Sequence, residues 1–221
     1  METSHTDVET RLLERALPPA ATVLEAGCGR TTRLGAFRER IAELVGVDVA
    51  AAGAQNAALD RFVAADLCAP LPFADASFDL VYSNFVVEHL QRPAAAFAQW
   101  RRVLKDDGSL VLLTSNIANP LVRGARHLPR RAVVGLKRAG AGAAEDDVIP
   151  TVYRANTPSR LDGLLRCAGF VPVEVHVVAT LHRYAGERRW GGAVLDACER
   201  ALPERRRATI VAWYAVGRRG R

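Results

Sequence analysis

The residue types best suited to chemistry sit at the ends of three short apolar segments. The first segment, Thr22 to Ala26, carries Glu25 and runs into Gly27-Cys28-Gly29. A strand entering Gly-x-Gly lets the backbone approach a ligand where a side chain would collide. The pattern is not a dinucleotide fingerprint, because the third glycine of G-x-G-x-x-G would fall on Thr32. A pyrophosphate brought to the following turn would also be repelled by Glu25, whereas an ammonium or sulfonium would be attracted. Asp48 ends the second segment, where a carboxylate can accept hydrogen bonds from both hydroxyls of a ribose. Asp66 ends the third and can accept from the amino group of an adenine, or can cap a helix instead. Three acids at the carboxyl ends of three successive strands make a ladder across one ligand. S-adenosylmethionine (SAM), which has an ammonium, a sulfonium and no phosphate, fits it.

A sulfonium methyl is already activated, so its transfer mainly requires alignment of nucleophile, methyl and sulfur, worth roughly 7–11 kcal/mol at best. A hydroxyl or protonated amine as acceptor also needs a base. His89, a few residues beyond the fourth apolar segment, has an unperturbed pKa suited to that work. A histidine packing or capping at a helix start would occupy the same place. Tyr153, Arg154 and Asn156 precede a strongly signalled helix start and are candidate acceptor contacts, Arg154 through its planar fork. Packing and loop hydrogen bonds would explain them equally well. His127, His176, His182 and Tyr184 carry weaker signals.

The elements that must hold these groups alternate between strand-like and helical runs, which predicts a parallel sheet covered by helices. Asp7 to Leu17 reads as a helix stopped by Pro18-Pro19. A second helix is expected from a cap at Thr31 or Thr32 to about Arg40. Strands follow at Leu44 to Val47, Arg61 to Ala65 and Phe78 to Ser83, with an Ala-rich helix at Ala51 to Leu59. Pro93 to Leu104 reads as a helix with proline in its first turn. Asp107-Gly108 turns the chain into a fifth strand, Ser109 to Thr114. Residues 117–156 break the rhythm and read as an inserted lid, basic from Arg123 to Arg138 and helical from Pro129 to Arg138. Thr157-Pro158 then caps a helix that Gly169 ends. Val171 to Val178 and Thr209 to Val216 are strands, with a helix near Trp190 to Ala201 between them.

The chain has 221 residues, 49% hydrophobic and 24% charged, as expected for one globular α/β domain: a core at 20–116, the lid at 117–156 and a C-terminal part at 157–221. No apolar run approaches the roughly 20 residues that span a bilayer, and the polar, acidic Met1 to Thr10 resembles no targeting peptide. A cytoplasmic location is expected. Cys28, Cys68, Cys167 and Cys198 have no CxxC spacing and read as small hydrophobes. A net charge of +6 admits nucleic acid, anionic lipid or an acidic small molecule as partner without choosing among them.

Four ordered segments carry a family resemblance. They are VLEAGCGR (Val23 to Arg30), VGVDVA (ending at Ala50), AADLCAPLPFADASFDLVYSNFVVEHL (Ala64 to Leu90) and RRVLKDDGSLVL (Arg101 to Leu112), with a weaker TPSRLDGLLRCAGF at Thr157 to Phe170. The chain resembles the class I SAM-dependent methyltransferases, in particular the branch of the ubiquinone and menaquinone biosynthesis enzymes. The resemblance implies a Rossmann-like, mostly parallel seven-stranded sheet of order 3-2-1-4-5-7-6, helices on both faces, the seventh strand antiparallel, and S-adenosylhomocysteine as product. It assigns Glu25, Ala26, Gly27, Cys28 and Gly29 to the methionine end of SAM, and Asp48 with Val49 to the ribose. Asp66 and Leu67 are assigned to adenine, and Ser83, Asn84 and Phe85 to the neighbourhood of the sulfonium. Thr31 replaces the usual third glycine, and Asp107-Gly108 the usual Pro-Gly. Some relatives bind a divalent metal through Glu-x-x-Glu-His; here the first position is Phe85, so no metal is expected.

The expected activity is methylation of a small metabolite at oxygen or nitrogen, with the lid building the acceptor pocket and a membrane-surface contact open to its basic residues. The rivals are a catalytically idle SAM-fold binding protein and a nucleic-acid methyltransferase. The second lacks an appended binding module, an NPPY-type motif and the aromatics for base stacking. An NAD-dependent reductase fails at the glycine pattern and at Glu25.

Overall fold

Alternating side chains of the central strands are apolar in both directions, so the sheet has to be covered on both faces. The computed structural model describes residues 5–125, 127, 150–180 and 189–216. Seven strands form one sheet: β1 (Ala21–Ala26), β2 (Ile41–Asp48), β3 (Arg61–Ala64), β4 (Phe78–Asn84), β5 (Leu104–Ser115), β6 (Phe170–Val178) and β7 (Thr209–Val216). Their order is β3-β2-β1-β4-β5-β7-β6, parallel from β3 to β5, with β7 antiparallel to both neighbours. This is the sheet that the family resemblance implies.

Leu24, Val81, Leu110 and Leu112 face helices α2 (Pro93–Val103) and α4 (Pro158–Cys167) across a core built on Phe97, Trp100, Leu161 and Leu165. The interleaved Val23, Leu80, Tyr82, Val111 and Leu113 face α1 (His5–Ala16), which contributes Val8, Leu12 and Leu13. Between β5 and α4 lies the short α3 (Pro120–Ala125), and α5 (Arg189–Arg200) lies between β6 and β7. The α4 boundaries follow their signals: the Thr157 hydroxyl accepts from the Arg160 amide at 3.4 Å, and Gly169 takes φ +93° just past the end.

Two expected helices are absent. Leu34–Arg40 and Ala51–Gln55 are 3-10 turns. The first buries only Leu34, so it has no apolar stripe to pack. The second contains Gly53 and runs into Asn56, whose side-chain oxygen captures the Ala58 amide at 3.2 Å and offers the backbone a turn instead. β5 also begins earlier than expected, directly after α2. Phe78 pairs with Leu104 and Leu80 with Ser109, so the expected turn at Asp107-Gly108 is a bulge inside the strand. The expected helix at Pro129 to Arg138 lies outside the described residues.

Gly46 of β2 lies beside Glu25, and a methyl there would stand 2.4 Å from Leu59 Cδ1 and 2.7 Å from Cys28 Sγ. Gly46→Ala should therefore cost about 1–3 kcal/mol through overpacking, read by urea unfolding. Unchanged stability would mean that the glycine turn yields freely.

Candidate functional site

The direction of chain progression reverses between β1 and β4, so their carboxyl ends open a crevice of the kind in which α/β sheets bind ligands. Glu25 pairs with Tyr82 across these two strands and is only 3% exposed. Of the buried side-chain polar atoms without a hydrogen-bond partner among the described residues, three, Glu25 Oε2, Ser83 Oγ and Asn84 Oδ1, sit at the carboxyl ends of β1 and β4, and others lie elsewhere on Trp100, Asn119 and Arg207. Buried polar atoms are normally satisfied, so three orphans at one crevice mark a place where a polar ligand fits. Burial pushes the Glu25 carboxyl up to about 8; a hydrogen bond from Thr32 opposes this and the nearby Glu9 carboxylate adds to it.

The glycine turn is tied to the neighbouring strand. Gly27 and Cys28 donate to the Val47 carbonyl at 2.7 and 3.2 Å. The Asp48 carboxylate accepts the Gly29 amide at 3.0 Å and the Ala50 amide at 2.9 Å, leaving further lone pairs on both oxygens. The two glycines serve different ends. Gly27 has φ +80°, and a Cβ there would meet Val86 Cγ2 at 2.2 Å. Gly29 has φ +48°, and a Cβ there would meet nothing within 4 Å, so its face is open to a ligand. Cys28 is buried, its thiol pushed up to about 12 chiefly by desolvation, then by Asp48 and Glu25. Val49, just beyond Asp48, is 64% exposed and offers an apolar surface beside the acid. Asp66 is exposed and accepts the Cys68 amide at 2.8 Å, capping its own turn; Leu67 beside it is buried.

On the other side of the crevice, Phe85 leaves β4 at φ +54°, and its ring meets His5 of α1 edge-on at 6.5 Å. His89 closes a 3-10 turn, Val87–His89, and its Nδ1 lies 2.9 Å from the Pro150 carbonyl. A carbonyl can only accept, so Nδ1 donates and the neutral ring keeps its lone pair on Nε2. Tyr153 is half-buried at φ +51°, and Arg154 is exposed. Asn156 is buried, its amide spent on Thr114 Oγ1 at 2.6 Å and the Ser115 carbonyl at 3.1 Å. His127 lies in a turn after α3, His176 on edge strand β6 beside Glu174, and His182 and Tyr184 outside the described residues. Among the described residues no three His, Cys, Asp or Glu side chains are grouped to hold a metal ion, and no helix is long and apolar enough to cross a membrane.

Three groups escape a reading of the sequence. Asn56, buried in a run of alanines, donates to the Cys28 carbonyl at 3.2 Å and so braces the glycine turn. Glu9 of α1 accepts from the Tyr82 hydroxyl and pairs with Arg33 at 2.9 Å, fastening α1 beside Glu25. Glu88 is buried and accepts from two hydroxyls of β5. None stands in a spacing that announces its role.

Residues 24–112 match the methyltransferase-domain family. Over 99 residues the chain is 36% identical to the malonyl-[acyl-carrier protein] O-methyltransferase of Pseudescherichia vulneris, a match covering 42% of this chain and 39% of that protein. The chain thus spans well under half of that curated relative's length. Among solved structures, the methyltransferase in complex with the Trm112 activator of Haloferax volcanii superposes with TM-score 0.63 at 19% identity, covering 96% of this chain and 89% of that one. The 1,6-didemethyltoxoflavin-N1-methyltransferase of Burkholderia thailandensis, bound to its substrate and S-adenosylhomocysteine, gives 0.57 at 19%, covering 95% and 76%. Residues 24–112 thus carry a methyltransferase domain, a kind of domain that uses SAM as methyl donor, on a fold shared with these solved methyltransferases.

Glu25 has an ordinary value of 4.5 and a folded one of about 8. Its contribution to ligand-free stability is therefore full below about pH 4.5 and lost as pH rises through 8. The melting temperature of Glu25→Gln should gain on the parent protein as pH is raised from 5 to 8. A constant difference across that range would place Glu25 in contact with solvent or a cation.

Proposed function

We propose that this chain transfers the methyl group of SAM to an oxygen or nitrogen of a small-molecule acceptor. The observation that carries the reading is the set of three unpartnered buried polar atoms, on Glu25, Ser83 and Asn84, beside the open face of Gly29. In this reading Glu25 takes the ammonium of the donor, with Ala26, Gly27, Cys28 and Gly29 giving the backbone room to approach. Asp48 holds the ribose hydroxyls with its remaining lone pairs, and Val49 lies along the nucleoside. Leu67 and Asp66 flank the adenine, while Ser83, Asn84 and Phe85 line the sulfonium end. When bound, SAM supplies an electrophilic methyl group that needs no further activation.

The protein's own work is then alignment and proton removal. His89 Nε2, kept as a lone pair by the hydrogen bond from Nδ1 to the Pro150 carbonyl, takes the proton of the acceptor hydroxyl or amine. Tyr153 and Arg154 orient the acceptor, with Arg154 suited to an acidic group. The name of the curated relative makes an oxygen acceptor, an acyl group on a carrier protein, the first class to assay.

Calorimetry tests the donor site. SAM and S-adenosylhomocysteine should bind at micromolar levels, roughly 8 kcal/mol, and NAD should not. At pH 7 the Glu25 carboxyl is mostly protonated, so capture of an ammonium should release close to one proton, seen as a buffer-dependent heat. Asp48→Ala should weaken binding at least about tenfold, or 1.4 kcal/mol. Binding without proton release, or an unaffected Asp48→Ala, would refute the respective assignment. With an acceptor in hand, His89→Gln should lower kcat about 100-fold or more; full turnover would remove His89 from the chemistry.

A further inference from the structure

Glu88 is a charged residue, 4% exposed, that the reading above does not use. Its Oε2 accepts from the Thr114 hydroxyl at 2.8 Å and its Oε1 from the Ser115 hydroxyl at 3.0 Å. Each hydroxyl has one proton, so Glu88 fixes the direction in which both point. Thr114 Oγ1, with its proton committed, is left as an acceptor and takes the Asn156 amide at 2.6 Å. Asn156 also donates to the Ser115 carbonyl at 3.1 Å, and its own carbonyl accepts from the Ile117 amide at 2.8 Å. At the other end, the backbone carbonyl of Glu88 accepts from the amides of Val152 at 2.8 Å and Tyr153 at 3.0 Å.

Residues 150–156 are thus fastened twice to Glu88, directly through its carbonyl and through its carboxylate by way of β5. The same segment presents the Pro150 carbonyl to His89 Nδ1. It also carries Tyr153 in the left-handed region, at φ +51°, a conformation that a non-glycine residue keeps only when its surroundings hold it. A buried carboxylate whose two oxygens are both engaged by hydroxyls is a rigid brace, since releasing either one leaves an unsatisfied charge in the interior.

We propose that Glu88 is the positioning residue of the acceptor side: its carboxylate, through Thr114, Ser115 and Asn156, locks residues 150–156 and thereby holds His89 in the tautomer with the lone pair on Nε2. This rests on the reading of His89 as the base, and its test needs neither acceptor nor cofactor. In 15N-histidine spectra of the full chain at alkaline pH, His89 is assigned by loss of its signals in His89→Gln. It should show one protonated Nδ1 and one unprotonated Nε2, widely separated. In Glu88→Ala the two signals should move towards each other as both tautomers become populated, and Glu88→Gln should recover part of the separation. Should Glu88→Ala not fold, Asn156→Ala and Ser115→Ala provide the same readout at the far end of the brace.

S-adenosylhomocysteine affinity should stay within about twofold in these variants, because none touches the donor side. An unchanged separation in folded Glu88→Ala or Asn156→Ala would overturn the proposal, as would a parent protein whose His89 carries its proton on Nε2. A parent protein that binds no S-adenosylhomocysteine but keeps the locked tautomer would instead overturn the methyl-transfer reading and leave the brace standing.

Discussion

Everything at the crevice depends on one electrostatic imbalance: a carboxyl group buried at the end of β1 that no cation among the described residues offsets. Desolvation is the main cause that pushes Glu25 up to about 8, and the neighbouring Glu9 pushes in the same direction. Arg33 pairs with Glu9 at 2.9 Å. A site with this character favours a cationic ligand over an anionic one, whatever the glycine turn contributes. It separates a SAM pocket from the dinucleotide pockets built on the same sheet, where the turn and the helix dipole attract phosphate.

The turn itself is held from below and from the side. Asp48 grips the Gly29 amide, and Asn56 grips the Cys28 carbonyl, so the donor and the acceptor of the peptide group joining Cys28 to Gly29 are both engaged. In the proposed reading Asp48 has two duties, bracing the turn and facing the ribose, and its loss cannot be read as the loss of one contact. The 3-10 turns that replace the expected helices suit this arrangement. Ala51–Gln55 delivers Asn56 under the turn within a short span, which a longer helix along Ala51 to Leu59 would not do.

What can be read from sequence divides along physical lines. The strands, the glycine turn and the acids at strand ends are legible because period-2 apolar runs and a strand-to-glycine junction are local signals, whereas the sheet order follows only from the family resemblance. The alanine content of Ala51 to Leu59 points to a helix, while a single Asn side chain diverts the backbone away from one. Asp66 reads as a ligand from its place at a strand end, and the structure adds that its carboxylate also caps a turn. Glu9, Asn56 and Glu88 stay hidden for a common reason: each acts on a partner far away in sequence, 73 residues for Glu9 with Tyr82 and 26 for Glu88 with Thr114.

The two halves of the crevice also differ in how they meet their ligands. In the proposed reading the donor half lies within residues 24–112, the span that matches the family, and meets a constant ligand with backbone, glycine and carboxylates. The proposed acceptor half draws on residues beyond that match, 150–156, and would meet a ligand that differs from one enzyme to the next. A variable pocket still needs its base aimed at a fixed methyl, so the parts joining the halves have to be rigid even where the lining changes. Glu88 and His89 stand at that joint, inside the matched span, yet their hydrogen bonds run outward to Pro150, Val152 and Tyr153. Rigid attachment of a changeable segment to an unchanging one explains why a charge is buried there when an apolar side chain would pack at lower cost.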